Sequence, residues 1–193
     1  MERDPRILGI VLAAGAGRRY GKPKVLVDGW LDTAVTALRD GGCDRVAVVL
    51  GAATVPVPDG AVAVVAPDWN VGLSASVGAG LDYAERLGAD YVVLHVVDTP
   101  GVGAAVVRRV LERALTSGSG LARAEFAGEP GHPVVIARRH WPALRGTLSG
   151  DRGAGPFLRA ADDVDTVECG DLADGRDYDY QAGGRDYPAN VEP

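Results

Sequence analysis

Residues 12–24 read Leu12-Ala13-Ala14-Gly15-Ala16-Gly17-Arg18-Arg19-Tyr20-Gly21-Lys22-Pro23-Lys24. Small residues let a backbone approach a ligand closely, and successive N–H groups can form an anion-binding concavity. Four cations (Arg18, Arg19, Lys22 and Lys24) fall within seven positions. Small backbone plus dense positive charge is chemistry for a polyphosphate. Both lysines of the chain lie in this window, whereas its other 18 basic residues are arginines. An ammonium and a planar guanidinium are not interchangeable at a phosphate, so a lysine here reads as required. Arg18 and Lys22 can equally be solvent-exposed charges. Two familiar phosphate loops do not fit. The dinucleotide pattern G-x-G-x-x-G has Tyr20 at its third glycine, and G-x-x-x-x-G-K-[ST] meets Ala16 and Pro23.

Three further groups could work with such a loop. Asp98 stands before Thr99-Pro100 at the end of an apolar run. A strand-end carboxylate facing a phosphate loop suits Mg²⁺, which takes one or two protein carboxylates and completes its shell with phosphate oxygens and water. The same residue could simply cap the helix after Pro100. Ser74 and Ser76 follow Gly72, where a helix start offers hydroxyls and free N–H groups to an anion; Ser74 could also be only an N-cap. His95 lies inside a buried run and reads as core, and His140 as surface. The sequence contains no convincing Ser/His/Asp triad or nucleophilic cysteine setting.

The elements that must position these groups follow from periodicity. Residues 6–13 form a continuous apolar run, the mark of a strand buried on both faces. Residues 45–50, 61–66 and 90–97 read as further strands, the last being central and ending at Asp98. Residues 31–39, 74–87 and 102–115 have helical spacing, the second weakened by Gly78 and Gly80. Later strands are expected at 121–126, 133–137 and 164–168, and short helices at 138–145 and 155–161. Alternation of strand and helix through residue 115 predicts a three-layer α/β/α sandwich with a Rossmann-like, mostly parallel sheet. Ligands in such sheets bind beyond the carboxyl ends of the strands, where both the Gly15 loop and Asp98 fall. One domain is expected over 1–182, with a flexible tail over 183–193.

Composition narrows the function. The chain has 193 residues, 47% hydrophobic and 24% charged, an ordinary globular balance. No uncharged apolar stretch reaches the ~18 residues of a membrane helix, and the mixed charges of residues 1–6 do not make a signal peptide. Cys43 and Cys169 form neither a disulfide framework nor a zinc spacing, as expected of a cytoplasmic protein. The net charge of −6 argues against nucleic acid as a partner. Residues 151–193 hold 11 acids and four bases, either a solvated end or a source of metal-binding carboxylates.

The 12–24 window fits the pattern L-A-A-G-x-G-x-R-x-G-x-x-K without a gap, and here the sequence resembles the molybdenum cofactor nucleotidyltransferases, a family of GT-A-like fold. The resemblance extends over residues 6–178. It implies that Leu12, Ala13, Ala14, Gly15 and Gly17 wrap the nucleotide, that Arg19 and Lys24 contact its phosphates, and that Asp98, in a D-x-P motif, binds metal. Gly72, Ser74 and Ser76 resemble the family's G-[ML]-S-x-S segment, placed near nucleotide and acceptor. Gly131-His132-Pro133 and Leu148-Ser149-Gly150-Asp151-Arg152-Gly153-Ala154 resemble elements of the cytidylyltransferase branch, which puts His132 and Asp151 at the acceptor; His132 could also be a turn histidine. Leu12-Ala13-Ala14-Gly15 looks like CTP use. Relatives carry a late acidic segment, D-[IV]-D-T-P-E-D-[LY]. This chain departs from it, with Ala173, Asp174 and Gly175 in place of the second acid and Thr-Pro, leaving Asp171 as the candidate second metal ligand.

The implied reaction is Mg²⁺-dependent transfer of a nucleoside monophosphate, CMP foremost, to molybdopterin with release of pyrophosphate. A molybdoenzyme is an implied partner. A different phosphate acceptor (a sugar phosphate or methylerythritol phosphate) and a non-catalytic NTP-binding or assembly role remain open alternatives.

Overall fold

A computed structural model describes residues 3–179. Seven strands form one sheet in the order β3-β2-β1-β4-β6-β5-β7. They are β1 (Ile7–Leu12), β2 (Arg45–Leu50), β3 (Ala61–Val65), β4 (Tyr91–Val96), β5 (Leu121–Phe126), β6 (Glu129–Ala137) and β7 (Asp165–Glu168). The first four are mutually parallel. β6 runs antiparallel to both β4 and β5, and β7 is parallel to β5. The α/β sandwich with a mostly parallel sheet is therefore as the periodicity requires.

The centre of the sheet explains why its strands are apolar throughout. Every residue of β1 is buried, because helices cover both faces of a parallel sheet. On one face α1 (Trp30–Asp40) and α3 (Ala104–Thr116) pack over Val11, Val48, Val93 and Val135. On the other, α2 (Leu73–Leu87), α4 (Trp141–Thr147) and α5 (Gly155–Ala160) cover Ile10, Val49, Leu94 and Ile136. Right-handed crossovers give this division: α1 follows β1 towards β2, whereas α2 brings the chain back past β1 to β4. Gly80 on α2 faces Ile10, and a Cβ there would lie 3.1 Å from Ile10 Cγ2. A glycine that weakens the helical pattern is thus the one that lets helix and sheet approach.

Several boundaries differ from expectation: the helix expected over 138–145 is a 3₁₀ turn at Arg138–His140 followed by α4, and two other shifts have a clear physical cause. α3 begins at Ala104, not 102, because Val102 is buried beneath the turn that leads into the helix. β6 begins at Glu129, not 133. Its first residues pair only with β5, since pairing with β4 covers Val134–Ala137 alone. Residues 129–133 therefore behave as an edge, where Pro130 and Pro133 are tolerated. The tail expected over 183–193 lies outside the described residues. No helix among the described residues is long and apolar enough to cross a membrane.

Candidate functional site

The chain leaves β1 towards β2 on one side and returns to β4 on the other, so the sheet has a switch point between β1 and β4. Crevices open at the carboxyl ends of strands at such points. A cavity of about 590 Å³ lies here. Its walls are residues 12–20 and Lys24 from the loop after β1, residues 69–73 and Ser76 around the start of α2, residues 96–98 after β4, and Asp151 and Asp179.

Local backbone geometry shapes the loop. Ala13 N–H donates to the Val49 carbonyl (3.0 Å), which extends the sheet by one residue before the chain turns. Gly17 has φ +59°, and a Cβ at this position would overlap the Lys22 carbonyl. Gly21 N–H closes the turn onto the Gly17 carbonyl at 2.8 Å. Gly15 has open space where a side chain would be, so its bare backbone faces the cavity. Ala14 needs its small size for a different reason. It packs against Gly51, whose own Cβ would sit 2.8 Å from that of Ala14.

Lys24 opens a short 3₁₀ turn (Lys24–Leu26) and points back at the carboxyl end of β4. Its Nζ donates to Asp98 Oδ2 at 2.6 Å and to Asp179 Oδ1 at 3.0 Å. Arg19 Nη1 lies 2.9 Å from the other oxygen of Asp179. Burial by itself disfavours the charge on Lys24, but the two carboxylates outweigh it and raise the pKa above the ordinary lysine value. Lys24 is therefore a fixed ammonium at neutral pH. Two carboxylates that converge on one ammonium from 2.6 and 3.0 Å present hard oxygen donors of the kind that hold a divalent cation. Asp98 and Asp179 fit that role together.

Asp151 joins the wall through the turn before α5. Gly72 has φ +129°, and a Cβ there would meet Asp151 Oδ1 and the Gly150 backbone at 2.5 Å. Ser74 N–H donates to the Gly150 carbonyl at 3.0 Å. Gly72 and Ser74 thus dock the start of α2 onto the 149–152 turn, while Ser76 reaches the cavity.

The structure brings together Leu12, Ala13, Ala14, Gly15, Gly17, Arg19, Lys24, Gly72, Ser76, Asp98 and Asp151 of the residues singled out from sequence. Three take other positions. Ser74 is buried behind the wall, in the docking contact just described. His132 is partly buried beside β4, off the cavity lining. Burial lowers its pKa, with Asp98 and Asp177 opposing. Its neighbour His95 is fully buried, and burial, aided by the charge of His132, lowers that pKa to about 3. Asp171, the expected second metal ligand, is the correction. It forms a two-pronged pair with Arg109 on α3, at 2.6 and 2.9 Å, and does not line the cavity. An arginine fork satisfies both of its oxygens at the surface.

Asp179, not Asp171, lines the cavity, and sequence reasoning missed it. The available signal was the acid–aromatic run Asp177-Tyr178-Asp179. Tyr178 and Tyr20 flank Trp30, each with ring centroids 5.6 Å from it, so aromatic residues at three distant positions meet beside the loop.

The chain is similar to several known proteins. The sequence profile of the MobA-like NTP transferase domain matches residues 9–165. A nicotine blue oxidoreductase of Paenarthrobacter nicotinovorans is 35% identical over 191 residues, spanning 91% of this chain and 93% of that protein. A molybdenum cofactor guanylyltransferase of Rhodobacter capsulatus is 31% identical over 142 residues, 72% of this chain and 67% of that one. The manganese complex of Rv0371c from Mycobacterium tuberculosis superposes with a TM-score of 0.67 at 26% identity, over 85% of this chain and 88% of that one. At the level of fold alone, a 2-C-methyl-D-erythritol 4-phosphate cytidylyltransferase from Thermus thermophilus matches with a TM-score of 0.57 at 20% identity, over 88% and 91% of the two chains. With a glycine loop, a lysine and a strand-end aspartate gathered at the switch point of this sheet, and with the profile covering most of its length, the chain belongs to the MobA-like NTP transferase domain family.

Proposed function

We propose that the protein transfers a nucleoside monophosphate, CMP from CTP foremost, to the phosphate of molybdopterin and releases pyrophosphate. The observation that carries the reading is Lys24 Nζ, 2.6 Å from Asp98 and at the foot of a bare-backbone glycine loop. In this reading the loop N–H groups surround the triphosphate, and Lys24 and Arg19 stabilise charge that develops in the transition state. Asp98 would hold Mg²⁺, which when bound would neutralise charge on the phosphates. Asp151, on the cavity wall, is the residue assigned to the acceptor in this reading. The acceptor phosphate is anionic at neutral pH, so attack needs no general base. This suits a cavity wall that, among the described residues, holds no histidine or cysteine.

The base is the finer part of the proposal. Leu12-Ala13-Ala14-Gly15 favours CTP, whereas the Rhodobacter relative is named for guanylyl transfer. The test is Mg²⁺-dependent pyrophosphate release from CTP, GTP, ATP and UTP, with and without molybdopterin. Release with CTP and the pterin together is expected. Release with GTP alone would overturn the base assignment and leave the class standing.

A second reading has one specific observation behind it: the relative named nicotine blue oxidoreductase is 35% identical over nearly the whole chain. The protein would then reduce an organic dye-like substrate, and the loop would seat the pyrophosphate of a dinucleotide electron donor. Oxidation of NADH or NADPH on adding nicotine blue, with no pyrophosphate release from any NTP, would favour it over the transferase.

A further inference from the structure

The start of the glycine loop offers a ligand little side chain. Leu12 is 8% exposed, and Ala13 and Ala14 are 3% exposed each, so a ligand meets mainly their backbone. Ala14 works on the protein side instead. Ala52 N–H donates to the Ala14 carbonyl at 2.9 Å, which ties the loop to the chain leaving β2. Beside that tie stands Gly51, where a Cβ would overlap the stem of the Trp69 side chain and lie 2.8 Å from Ala14 Cβ. Trp69 and the Ala14 methyl group thus close on the same bare glycine. The Trp69 backbone is fixed as well. Ala66 N–H donates to the Leu50 carbonyl at 2.9 Å, Trp69 N–H donates to the Ala66 carbonyl at 3.2 Å, and a 3₁₀ turn spans Trp69–Val71. The Trp69 side chain is half-buried against the core that holds Leu8 and Ile10, and it lines the cavity. Tyr20, beside Arg19, is the other aromatic residue of that wall among the described residues.

The Trp69 seat and the cations lie on opposite sides of β1. Gly51 follows β2, Asp98, which holds Lys24, follows β4, and both strands neighbour β1. Two strand spacings, about 10 Å, separate the ends of β2 and β4. A nucleoside triphosphate has the same layout, with a planar base at one end, phosphates at the other and a ribose between. We infer that Trp69 is the platform on which the nucleobase of the bound NTP lies, and that Ala14 and Gly51 are positioning residues that set base choice through it. The inference rests on the reading that the loop binds a nucleotide's phosphates. Stacking by itself tolerates any base, so selection comes from the room left above the indole, and the seat sets that room. Removing the Ala14 methyl group lets the indole sink towards the sheet and admits a larger base. Adding a methyl group at Gly51 pushes the indole into the cavity.

The test uses the full-length chain with Mg²⁺ and compares CTP and GTP with inorganic tripolyphosphate, which has no base. Calorimetry on Trp69→Leu and on Gly51→Ala should show CTP affinity reduced at least about 5-fold, the lower end of what a stacked base contributes. Tripolyphosphate affinity should change less than about 2-fold in both, which also reports an intact fold. Trp69→Phe keeps a ring on the seat and should stay within about 3-fold of the wild type for CTP. Ala14→Gly should raise the ratio of GTP to CTP affinity at least about 3-fold, and this shift should vanish when Trp69→Leu is added, because one residue acts through the other. Unchanged CTP affinity in Trp69→Leu, or a Trp69→Phe loss as large as that of Trp69→Leu, overturns the platform while the phosphate site stands. Equal losses of CTP and tripolyphosphate overturn it as well. The same shift in base preference with and without Trp69 overturns the positioning role of Ala14. No binding of CTP or tripolyphosphate by the wild type overturns the nucleotide reading and the platform together.

Discussion

Two stretches of chain meet at the cavity, and they are held there by different means. Residues 12–24 are fixed by the sheet: β1 is buried along its whole length, Ala13 still bonds to β2, and Gly17 takes a conformation that side chains rarely adopt. Residues 174–179 are fixed by a few contacts of different kinds, including ring contacts, a backbone hydrogen bond and ion pairs. The first kind of positioning resists displacement, because moving the loop disturbs a packed core. The second kind hangs on side chains that reach across from other elements. One site thus joins a stretch set by the sheet to a stretch set by distant side chains.

The comparison can be broken hardest at the point where the stretches touch. Lys24→Ala and Asp98→Asn should each reduce nucleotidyl transfer at least ~100-fold, by analogy with the loss of other charge-stabilising groups, as read by pyrophosphate release. Near-wild-type rates in either variant would sink its assigned role. Gly17→Ala tests the rigidity of the cradle. A non-glycine residue at this φ costs about 1–3 kcal/mol, and the new Cβ also overlaps the Lys22 carbonyl, so calorimetric nucleotide affinity should fall about 10-fold or more. An unchanged affinity would mean that the loop reshapes freely.

The core beneath the cradle carries a pH signature. His95 stays neutral in the folded chain down to about pH 3, against an ordinary value of 6.5. Below pH 6.5 the unfolded chain therefore binds a proton that the folded chain refuses, and stability falls as pH drops through this window. The slope contributed is at most about 1.4 kcal/mol per pH unit. Between pH 7 and pH 5 the wild type should lose about 2 kcal/mol more than His95→Leu in urea unfolding. Parallel pH profiles for the two proteins would show that His95 finds a proton partner in the fold. The smallest effect is expected at Asp171→Ala. Its pair with Arg109 is largely solvent-exposed, and such pairs contribute roughly 0–1 kcal/mol. Manganese affinity, followed by electron paramagnetic resonance, should change less than about 2-fold. A large loss would return Asp171 to the metal site.

What could be read from sequence follows the same divide. The buried runs of β1, β2 and β4 announce themselves by unbroken apolar character, because both faces are covered. The loop announces itself by glycines and cations at fixed spacing. Asp98 is legible because a strand end gives it an address. Asp179 had none: it is placed by Tyr178 meeting Trp30, some 150 residues earlier in the chain, and no local period reports such a contact. Asp171 misled for the complementary reason. Its local sequence resembles a ligand segment, but Arg109 on α3 claims both of its oxygens. The early start of β6 was hidden by Pro130 and Pro133, which look like breakers until the strand is seen to have one neighbour at that end.

The reversed direction of β6 reaches beyond sheet pairing. Because β6 enters from the carboxyl end of β4, the tip of the β5–β6 hairpin stands at the ligand end of the sheet, with Ala127 and Gly128 both at positive φ. A two-residue turn of this kind can lengthen or shorten without altering the parallel strands that carry the glycine loop. The hairpin tip near His132 can therefore be remodelled over evolution, or by hand, while the glycine loop after β1 keeps its place.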